Sequence, residues 1–233
     1  GVPDTTYKPA SPLGTGSHTI RVCERDEAGN WSDWVEFTVV IDLTTPTIGL
    51  VDDSGDPGDG ITNVDSPQFE VTSGAGLTVT DNYRWRVDGS GWTSVSGGSP
   101  LTIRPPALSD GAHVVEVQQQ RQDGSYSLSA SFTVTVDTVA PNPPVVTTSE
   151  PDPTSNRRPT WQWASGGGGG AGHFQYDARG AGGTLSTAVP DLTYTPAADL
   201  ANNNTYTLWV MERDVAGNWS AWRSLDITVL NNP

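Results

Sequence analysis

The chain has 233 residues, of which 27 are acidic and 12 are Lys or Arg, so its net charge at pH 7 is −15. This acidity argues against nucleic-acid binding, because phosphate backbones need clustered Lys and Arg. The single cysteine, Cys23, permits no internal disulfide, and no apolar run approaches the roughly 20 residues of a membrane helix. We therefore expect neither nucleic acid nor membrane insertion.

Short β-strands are predicted almost throughout the chain. Thr, Val, Ile and Trp alternate with polar residues between turns rich in Gly, Pro, Asn and Asp, which is typical of an all-β sandwich. The GGGGG run at 166–170 lies between two such strands and lacks the Lys and the Ser or Thr of a phosphate-binding loop. We also find no nucleophile elbow or zinc-protease motif, so we expect no enzyme activity.

An eleven-residue phrase is repeated along the chain. ERDEAGNWSDW at 24–34 returns as ERDVAGNWSAW at 212–222, and a more divergent copy lies within 113–137. The flanking strands also correspond, which indicates a repeated structural unit rather than a repeated short motif. The predicted domains are the C-terminal half of a repeat at 1–46, a complete repeat at 47–140 and a complete repeat at 141–233.

The half-repeat poses its own problem. Half a sandwich leaves one sheet face and one edge unpaired, which favours completion by other protein. We expect residues 1–46 to pack on the middle repeat or on a neighbouring molecule, and a second copy of this chain is one candidate for the neighbour.

The repeated phrase itself is predicted to be a hairpin turn. Gly and Asn accept a positive φ, and an Asp side chain caps turns, so Asp-x-Ala-Gly-Asn suits the connection between two strands. The Trp that follows, Trp31 or Trp219, can lie across the hairpin. The alternative is a ligand site formed by the Asp and the Asn, but the middle copy has Arg121 and Ser125 at these places.

These phrases resemble the bacterial immunoglobulin-like repeats, which are related in architecture to fibronectin type III domains. The resemblance rests on D-x-AGNWS, on IDLTTPTI and VDTVAPNPP between repeats, and on DDSGDPGDGITNVDSPQF at 52–69. It implies tandem immunoglobulin-like sandwiches that form a non-catalytic spacer or adhesive segment of a large exported bacterial surface protein. The implied location is extracellular, and the implied partners are neighbouring repeats and a glycan or host surface.

The resemblance also gives a role to two histidines. Fibronectin-like sandwiches carry a tyrosine corner, in which a Tyr hydroxyl bonds back to upstream backbone. Tyr206 fits this role, and His18 and His113 occupy the same place in their repeats, where a ring N–H can substitute for the hydroxyl.

An acidic loop in the middle repeat is a candidate calcium site. Calcium takes six to eight oxygen ligands in irregular geometry, and repeats of the family bind it at junctions between domains. The candidate ligands are Asp52, Asp53, Asp56, Asp59, Asn63 and Asp65, with Asp42 as a contributor from the preceding unit. The alternative is an ordinary solvated acidic loop, because the spacing is not that of an EF-hand.

The nine tryptophans permit a different function. Exposed Trp rings stack on sugar faces, so the chain could be an accessory carbohydrate-binding module of a secreted polysaccharide-active enzyme. The candidate contacts are Trp209, Trp222 and Trp34. At least one of Trp85, Trp161 and Trp163 should instead be the buried core Trp of a sandwich.

Overall fold

The computed structural model describes residues 6–11, 13–14, 16–41, 45–74, 79–122, 124–187 and 189–231. These residues form sixteen β-strands and one short 3-10 helix, Arg179–Ala181, so the predicted all-β fold is confirmed. The strands are β1 (Gly16–Val22), β2 (Val35–Ile41), β3 (Thr47–Leu50), β4 (Ile61–Thr62), β5 (Phe69–Thr72), β6 (Val79–Val87), β7 (Thr93–Ser96), β8 (Leu101–Ile103), β9 (Gly111–Arg121), β10 (Ala130–Val136), β11 (Val145–Thr148), β12 (Trp161–Ala164), β13 (Gly170–Asp177), β14 (Thr193–Tyr194), β15 (Asn204–Asp214) and β16 (Arg223–Val229). No helix among the described residues has the length and apolar character needed to cross a bilayer.

The strands form five sheets, most of them antiparallel. Their strand orders are β1-β2, β4-β10-β9-β6-β7, β11-β12-β14, β13-β15-β16 and β3-β5-β8. The pairing of β10 with β4 is parallel, whereas β6 pairs antiparallel with both β7 and β9.

The chain divides into two compact units. The first comprises Gly1–Gly49, Glu70–Thr102 and Val115–Phe132, and the second comprises Leu50–Phe69, Ile103–Val114 and Thr133–Pro233. All of the predicted last repeat lies in the second unit, together with the acidic loop of the middle repeat.

The second unit contains a sandwich core built from the last repeat. Alternate residues of β12, β13, β15 and β16 face inward, as the period-2 pattern of a half-buried strand requires. The buried members of this core are Trp161, Trp163, Phe174, Ala178, Ala181, Leu200, Leu208, Val210, Ile227 and Val229. Both tryptophans of β12 are therefore core residues, which confirms the predicted buried Trp.

The indole N–H groups of these two tryptophans differ. Trp161 Nε1 donates to the Leu225 carbonyl over 3.0 Å, whereas Trp163 Nε1 is buried without a partner among the described residues. A buried polar group without a partner is unfavourable, so the indole N–H of Trp161 contributes more to stability than that of Trp163.

The core of the first unit includes a polar residue. Val71, Tyr83 and Val117 are buried, and Gln119 beside them is only 1% exposed. Its Oε1 accepts from the Gly74 amide over 3.1 Å, and its Nε2 donates to the Tyr83 hydroxyl over 3.2 Å. These bonds satisfy a buried amide that would otherwise be unfavourable.

The predicted corners are present in all three repeats. Tyr206 donates its hydroxyl proton to the Ala201 carbonyl over 3.0 Å. His18 and His113 contact the carbonyls of Gly14 and Ser109 through Nε2, each at 2.8 Å. A carbonyl only accepts, so Nε2 carries the proton in both rings. The substitution of Tyr by His at this corner is confirmed.

The half-repeat forms a hairpin of two strands. Its register pairs Gly16 with Ile41 and Val22 with Val35. None of the side chains that the structure describes between residues 6 and 41 is buried. Phe37 is 64% exposed and Val22 is 61% exposed. Packing of the half-repeat on the middle repeat or on a neighbouring molecule therefore stays a prediction.

Candidate functional site

The acidic loop between β3 and β4 is held by bonds within itself. The Asp53 carboxylate accepts from the Gly58 amide over 2.5 Å, and Asp59 Oδ1 accepts from the Ile61 amide over 2.8 Å. Asp side chains commonly bond to backbone two or more residues onward and fix turns in this way. Two of the predicted metal ligands therefore stabilise the turns of their own loop.

Two other carboxylates of the loop face arginines. Asp52 Oδ2 lies 3.0 Å from Arg104 Nη2 and also accepts from the Gln68 amide over 3.0 Å. Asp56 Oδ1 lies 2.7 Å from Arg213 Nη2. The loop thus neutralises part of its negative charge with cationic side chains.

Two further predicted ligands make backbone hydrogen bonds. The Asn63 backbone amide donates to Ser54 Oγ, and the Asp65 backbone carbonyl accepts from the Leu108 backbone amide. Asp42 lies outside the described residues. No group of three or more His, Cys, Asp or Glu side chains within the described residues is arranged to hold a metal ion. Calcium needs six to eight oxygen ligands, which include backbone carbonyls and waters, so calcium binding by this loop stays a prediction.

The turn after β15 is the second half of the site. Asp214 Oδ1 accepts from the Asn218 amide over 2.8 Å, and Oδ2 accepts from the Asn218 side chain over 2.9 Å. Asp26 and Asn30 make the same pair of bonds in the half-repeat, over 2.8 and 3.0 Å. The predicted role of the repeated phrase as a hairpin turn is confirmed.

The middle repeat shows that the backbone of this turn does not need Asp and Asn. There the Arg121 backbone amide donates to the Ser125 carbonyl over 2.7 Å. In the last repeat the Asp214 backbone amide donates to the Asn218 carbonyl in the same way, over 3.0 Å. The backbone hydrogen bond of this turn therefore forms with or without the Asp and Asn side chains.

The acidic loop lies against the turn of the last repeat. Ser54 Oγ donates to the Ala216 carbonyl over 2.6 Å, and the Asp56 amide donates to the Val215 carbonyl over 3.2 Å. Asn218, while bound to Asp214, also donates from its side chain to the Asp137 carbonyl over 2.7 Å. We call this set of contacts, between residues 54–56 or 137 and residues 213–218, the docked junction.

Glycines allow the close approach at the docked junction. Gly55 has a φ of +77°, and a Cβ there would lie 1.9 Å from the Val215 carbonyl oxygen. Ala216 is fully buried, whereas the matching Ala28 of the half-repeat is exposed. No side chain at position 55 fits without moving the turn away.

Sequence reasoning missed the docked junction. The sequence carried no signal for it, because an arginine stands before the Asp in both repeats, as Arg25 and as Arg213. In the half-repeat, Arg25 Nε bonds to the Gly29 carbonyl over 3.1 Å and its guanidinium lies over Trp31. In the last repeat, Arg213 instead contacts Asp56 of another repeat.

The predicted sugar-contact tryptophans are partly exposed. Trp209 is 45% exposed, Trp222 is 39% exposed and Trp34 is 63% exposed. Trp209 pairs with Ser224, and Trp222 directly precedes β16 in the sequence. Trp34 lies in the first unit, at the place in its hairpin that Trp222 occupies in the last repeat.

The turn of the half-repeat gives a titration prediction. The side-chain hydrogen bond from Asn30 is the largest cause that holds the pKa of Asp26 below its ordinary value. Because the pKa is lowered in the folded state, the bond stabilises the turn above the pKa of the unfolded chain and is lost as pH falls through the folded pKa. We expect a carbon-13 titration of the Asp26 carboxyl to show this lowered pKa, and Asn30→Ala to raise it. An unchanged pKa in the variant would contradict the assignment.

Comparison with known families agrees with this architecture. Residues 43–138 match the family model described as the bacterial Ig-like domain. The predicted resemblance to bacterial immunoglobulin-like repeats is confirmed. The matched range covers most of the Ig-like repeat predicted at 47–140, including the acidic loop. No curated protein matches the chain in sequence.

The solved structures that the chain resembles include fibronectin-like modules. The fibronectin(III)-like modules of Clostridium thermocellum CbhA share 13% sequence identity with a TM-score of 0.50, over 79% of this chain and 94% of that chain. The central fibronectin-III array of RIM-binding protein has 15% identity and a TM-score of 0.30, over 82% of this chain and 71% of that chain. A two-domain fibronectin type-III segment of chicken tenascin has 11% identity and a TM-score of 0.30, over 79% and 99%. At this identity the CbhA modules support the Ig-like fold class and no particular function.

Proposed function

We propose that this chain is a non-catalytic spacer or adhesive segment of a large exported bacterial surface protein. Ig-like folds of this kind are consistent with structural or adhesive modules and are typically non-catalytic. The observation that carries the proposal is the docked junction, in which a loop of one repeat is fastened to a turn of the next. A spacer needs such contacts because a flexible connection alone does not hold successive domains in a fixed relation.

The contacts at the docked junction combine charge, hydrogen bonding and close packing. The ion pair of Asp56 with Arg213 is partly shielded, since the Arg213 side chain is 19% exposed. Three hydrogen bonds from Ser54, Asp56 and Asn218 to backbone carbonyls accompany it. The three acceptors are backbone carbonyls, so these hydrogen bonds favour an arrangement that keeps the loop and the turn close together.

An extracellular location belongs to the same proposal. Bacterial Ig-like domains often occur in exported proteins, and the net charge of −15 keeps such a chain soluble. The proposed partners are neighbouring repeats of the same protein and, for an adhesive role, a glycan or host surface.

A double-mutant cycle tests the ion pair. We expect Asp56→Asn and Arg213→Gln to show a coupling energy of about 0.5–1 kcal/mol in chemical unfolding with EDTA present. The matched control is the pair of Arg21 with Glu36, whose side chains are 64% and 54% exposed at the same 2.7 Å separation. Its coupling should be smaller. A coupling of zero for the first pair would contradict the role of this pair in the junction.

Calcium at the acidic loop is a separate proposal that the same cycle tests. Asp53 is its best remaining ligand, because Oδ1 is buried without a hydrogen-bond partner among the described residues. If millimolar calcium raises the melting temperature and abolishes the coupling of Asp56 with Arg213, the carboxylates have turned to the ion. If the melt and the coupling are unchanged, the junction works without metal.

A second candidate function is an accessory carbohydrate-binding module of a secreted polysaccharide-active enzyme. The specific observation is that Trp209 in β15 and Trp222 just before β16 are both partly exposed, at 45% and 39%. Binding on a glycan array that falls at least tenfold in Trp209→Ala or Trp222→Ala would favour this role. Trp31→Ala is the control, because Trp31 is 65% exposed and lies in the turn region of the half-repeat.

A further inference from the structure

The outward face of β6, β7 and β9 combines arginines, amides and hydroxyls. Tyr83, Val115 and Val117 of these strands are at most 1% exposed, so the residues that alternate with them lie on the opposite face of the sheet. The paired residues of that face are Asn82, Arg84, Arg86, Ser94, Ser96, Glu116 and Gln118. None of these side chains is aliphatic. We call these residues, together with Trp92 and Tyr126, the guanidinium face.

Arg84 is held against two aromatic rings of the guanidinium face. Its guanidinium carbon lies 3.8 Å from the centre of the Tyr126 ring and 4.5 Å from that of Trp92. Its Nε donates to Gln118 Oε1 over 2.8 Å, and Gln118 Nε2 donates in turn to Ser129 Oγ over 3.0 Å. The rings hold the cation over their faces and the hydrogen bond sets its direction, so the guanidinium is fixed in place before any ligand arrives.

The Nη atoms of Arg84 are left for a ligand. Within the described residues, the Arg84 side chain hydrogen-bonds only through Nε and forms no ion pair with a carboxylate. The residue is partly exposed. A guanidinium presents its N–H donors in one plane, so the two Nη atoms can bind both oxygens of a carboxylate at once.

The charge of the guanidinium face matches a single carboxylate. Arg86 is already paired with Glu116, whose Oε2 lies 2.6 Å from the Arg86 Nε. Two arginines and one glutamate leave a local charge of +1 on a chain whose net charge is −15. Glu116 also repels densely charged anions such as phosphate, because like charges placed together are unfavourable. A singly charged oxyanion therefore fits this surface best.

The sandwich does not depend on an arginine at this place. Gln119 and Glu212 are equivalent in the two complete repeats, since each donates its backbone amide to the hydroxyl of a Ser eight residues later. The residue after the strand partner of Gln119 is Arg84, and the residue after the strand partner of Glu212 is Gln175. The last repeat thus forms its core with an uncharged amide where the middle repeat has the stacked arginine.

The composition of the guanidinium face favours a hydrated partner over a protein surface. Interfaces between proteins have an apolar core, whereas the paired residues of this face are amides, hydroxyls and charged groups. Amides and hydroxyls suit the hydroxyl groups of a sugar, and a sugar acid adds the one carboxylate that Arg84 requires. Ser94, which pairs with Arg84, is small and exposed and leaves room for a sugar ring.

We propose that the guanidinium face binds an acidic polysaccharide, with the Nη atoms of Arg84 on the carboxylate of a sugar acid. This inference goes beyond the spacer role and uses neither the docked junction nor Trp209 and Trp222. It can therefore fail while the proposed function stands.

The test is a nitrogen-15 NMR titration of the full chain with a short oligogalacturonate, in EDTA. We expect saturable shifts of the amides of β6, β7 and β9, and an affinity that falls on the order of tenfold in Arg84→Gln. Arg84→Lys keeps the charge but loses the planar pair of donors, so its affinity should fall by a similar factor. The spectrum of each variant also reports whether the repeat stays folded.

Arg223→Gln is the matched control. It removes the same charge from an exposed strand position of the last repeat, so it should bind like the original chain. Full affinity in Arg84→Gln, or no binding by the original chain, would overturn the proposal. Full affinity in Arg84→Lys would overturn the paired hydrogen bonds from Nη, because charge alone would then account for binding.

Two further ligands identify the source of the carboxylate. The methyl-esterified oligogalacturonate keeps the sugar rings without their charge, and we expect it to bind on the order of tenfold more weakly. Equal binding of the ester would contradict recognition of a carboxylate. A polyglutamate with the same number of carboxylates should also bind more weakly than the sugar acid. If it binds as tightly, the partner is an acidic peptide and the polysaccharide proposal is wrong.

Discussion

Gly55→Ala should destabilise the second unit by about 2–5 kcal/mol. Two costs add: an Ala at a φ of +77° costs roughly 1–2 kcal/mol, and overpacking against the Val215 carbonyl costs roughly 1–3 kcal/mol. The measurement is chemical unfolding followed by near-ultraviolet circular dichroism, with EDTA present so that metal has no part in the result.

The matched control is Gly58→Ala. Gly58 has a φ of +89°, in the same loop, but a Cβ there meets nothing within 4 Å. The control therefore carries the backbone cost without the contact, and we expect it to lose only about 1–2 kcal/mol. Equal losses in the two variants would mean that the approach of the loop to the turn contributes nothing to stability.

Trp161→Phe should destabilise the last repeat by about 2–4 kcal/mol. The substitution removes buried ring volume, and it leaves the Leu225 carbonyl without the donor that now lies 3.0 Å away. Thermal unfolding of the full chain measures the loss, and the transition of the last repeat is followed by the exchange of its strand amides.

Trp163→Phe separates volume from hydrogen bonding. Trp163 is 4% exposed in the same strand, and its Nε1 has no partner among the described residues. The variant loses similar volume but removes an unsatisfied donor, so we expect it to cost less than Trp161→Phe by about 1–2 kcal/mol. The reverse order would show that the Trp161 hydrogen bond is not the deciding difference.

Local patterns predicted those parts of the fold that depend on neighbouring residues. The turn at 214–218 and its counterpart in the half-repeat follow from the φ preferences of Gly and Asn and from the capping by Asp. The corners at His18, His113 and Tyr206 needed only a repeat alignment and one upstream carbonyl. Strand alternation likewise predicted the all-β fold.

Long-range partners were not predictable from the sequence. Asp56 and Arg213 are 157 residues apart, and nothing near either residue specifies the other. The cluster of aspartates therefore indicated a metal site, whereas the structure directs Asp52 and Asp56 to arginines. Glu212 is a similar case. A Glu in a strand pattern is expected to be exposed, but Glu212 is 0% exposed and its carboxylate accepts from the backbone amides of Gly166 and Gly172.

The docked junction can be tested most directly by hydrogen exchange with mass spectrometry, in EDTA, on segments 50–66 and 213–219. The full chain should protect both segments, and Gly55→Ala should release both together while Gly58→Ala leaves 213–219 protected. If 213–219 exchanges at the same rate in all three proteins, the acidic loop does not hold the turn. In that case the repeats are not fastened by this contact, and the proposed spacer mechanism is wrong.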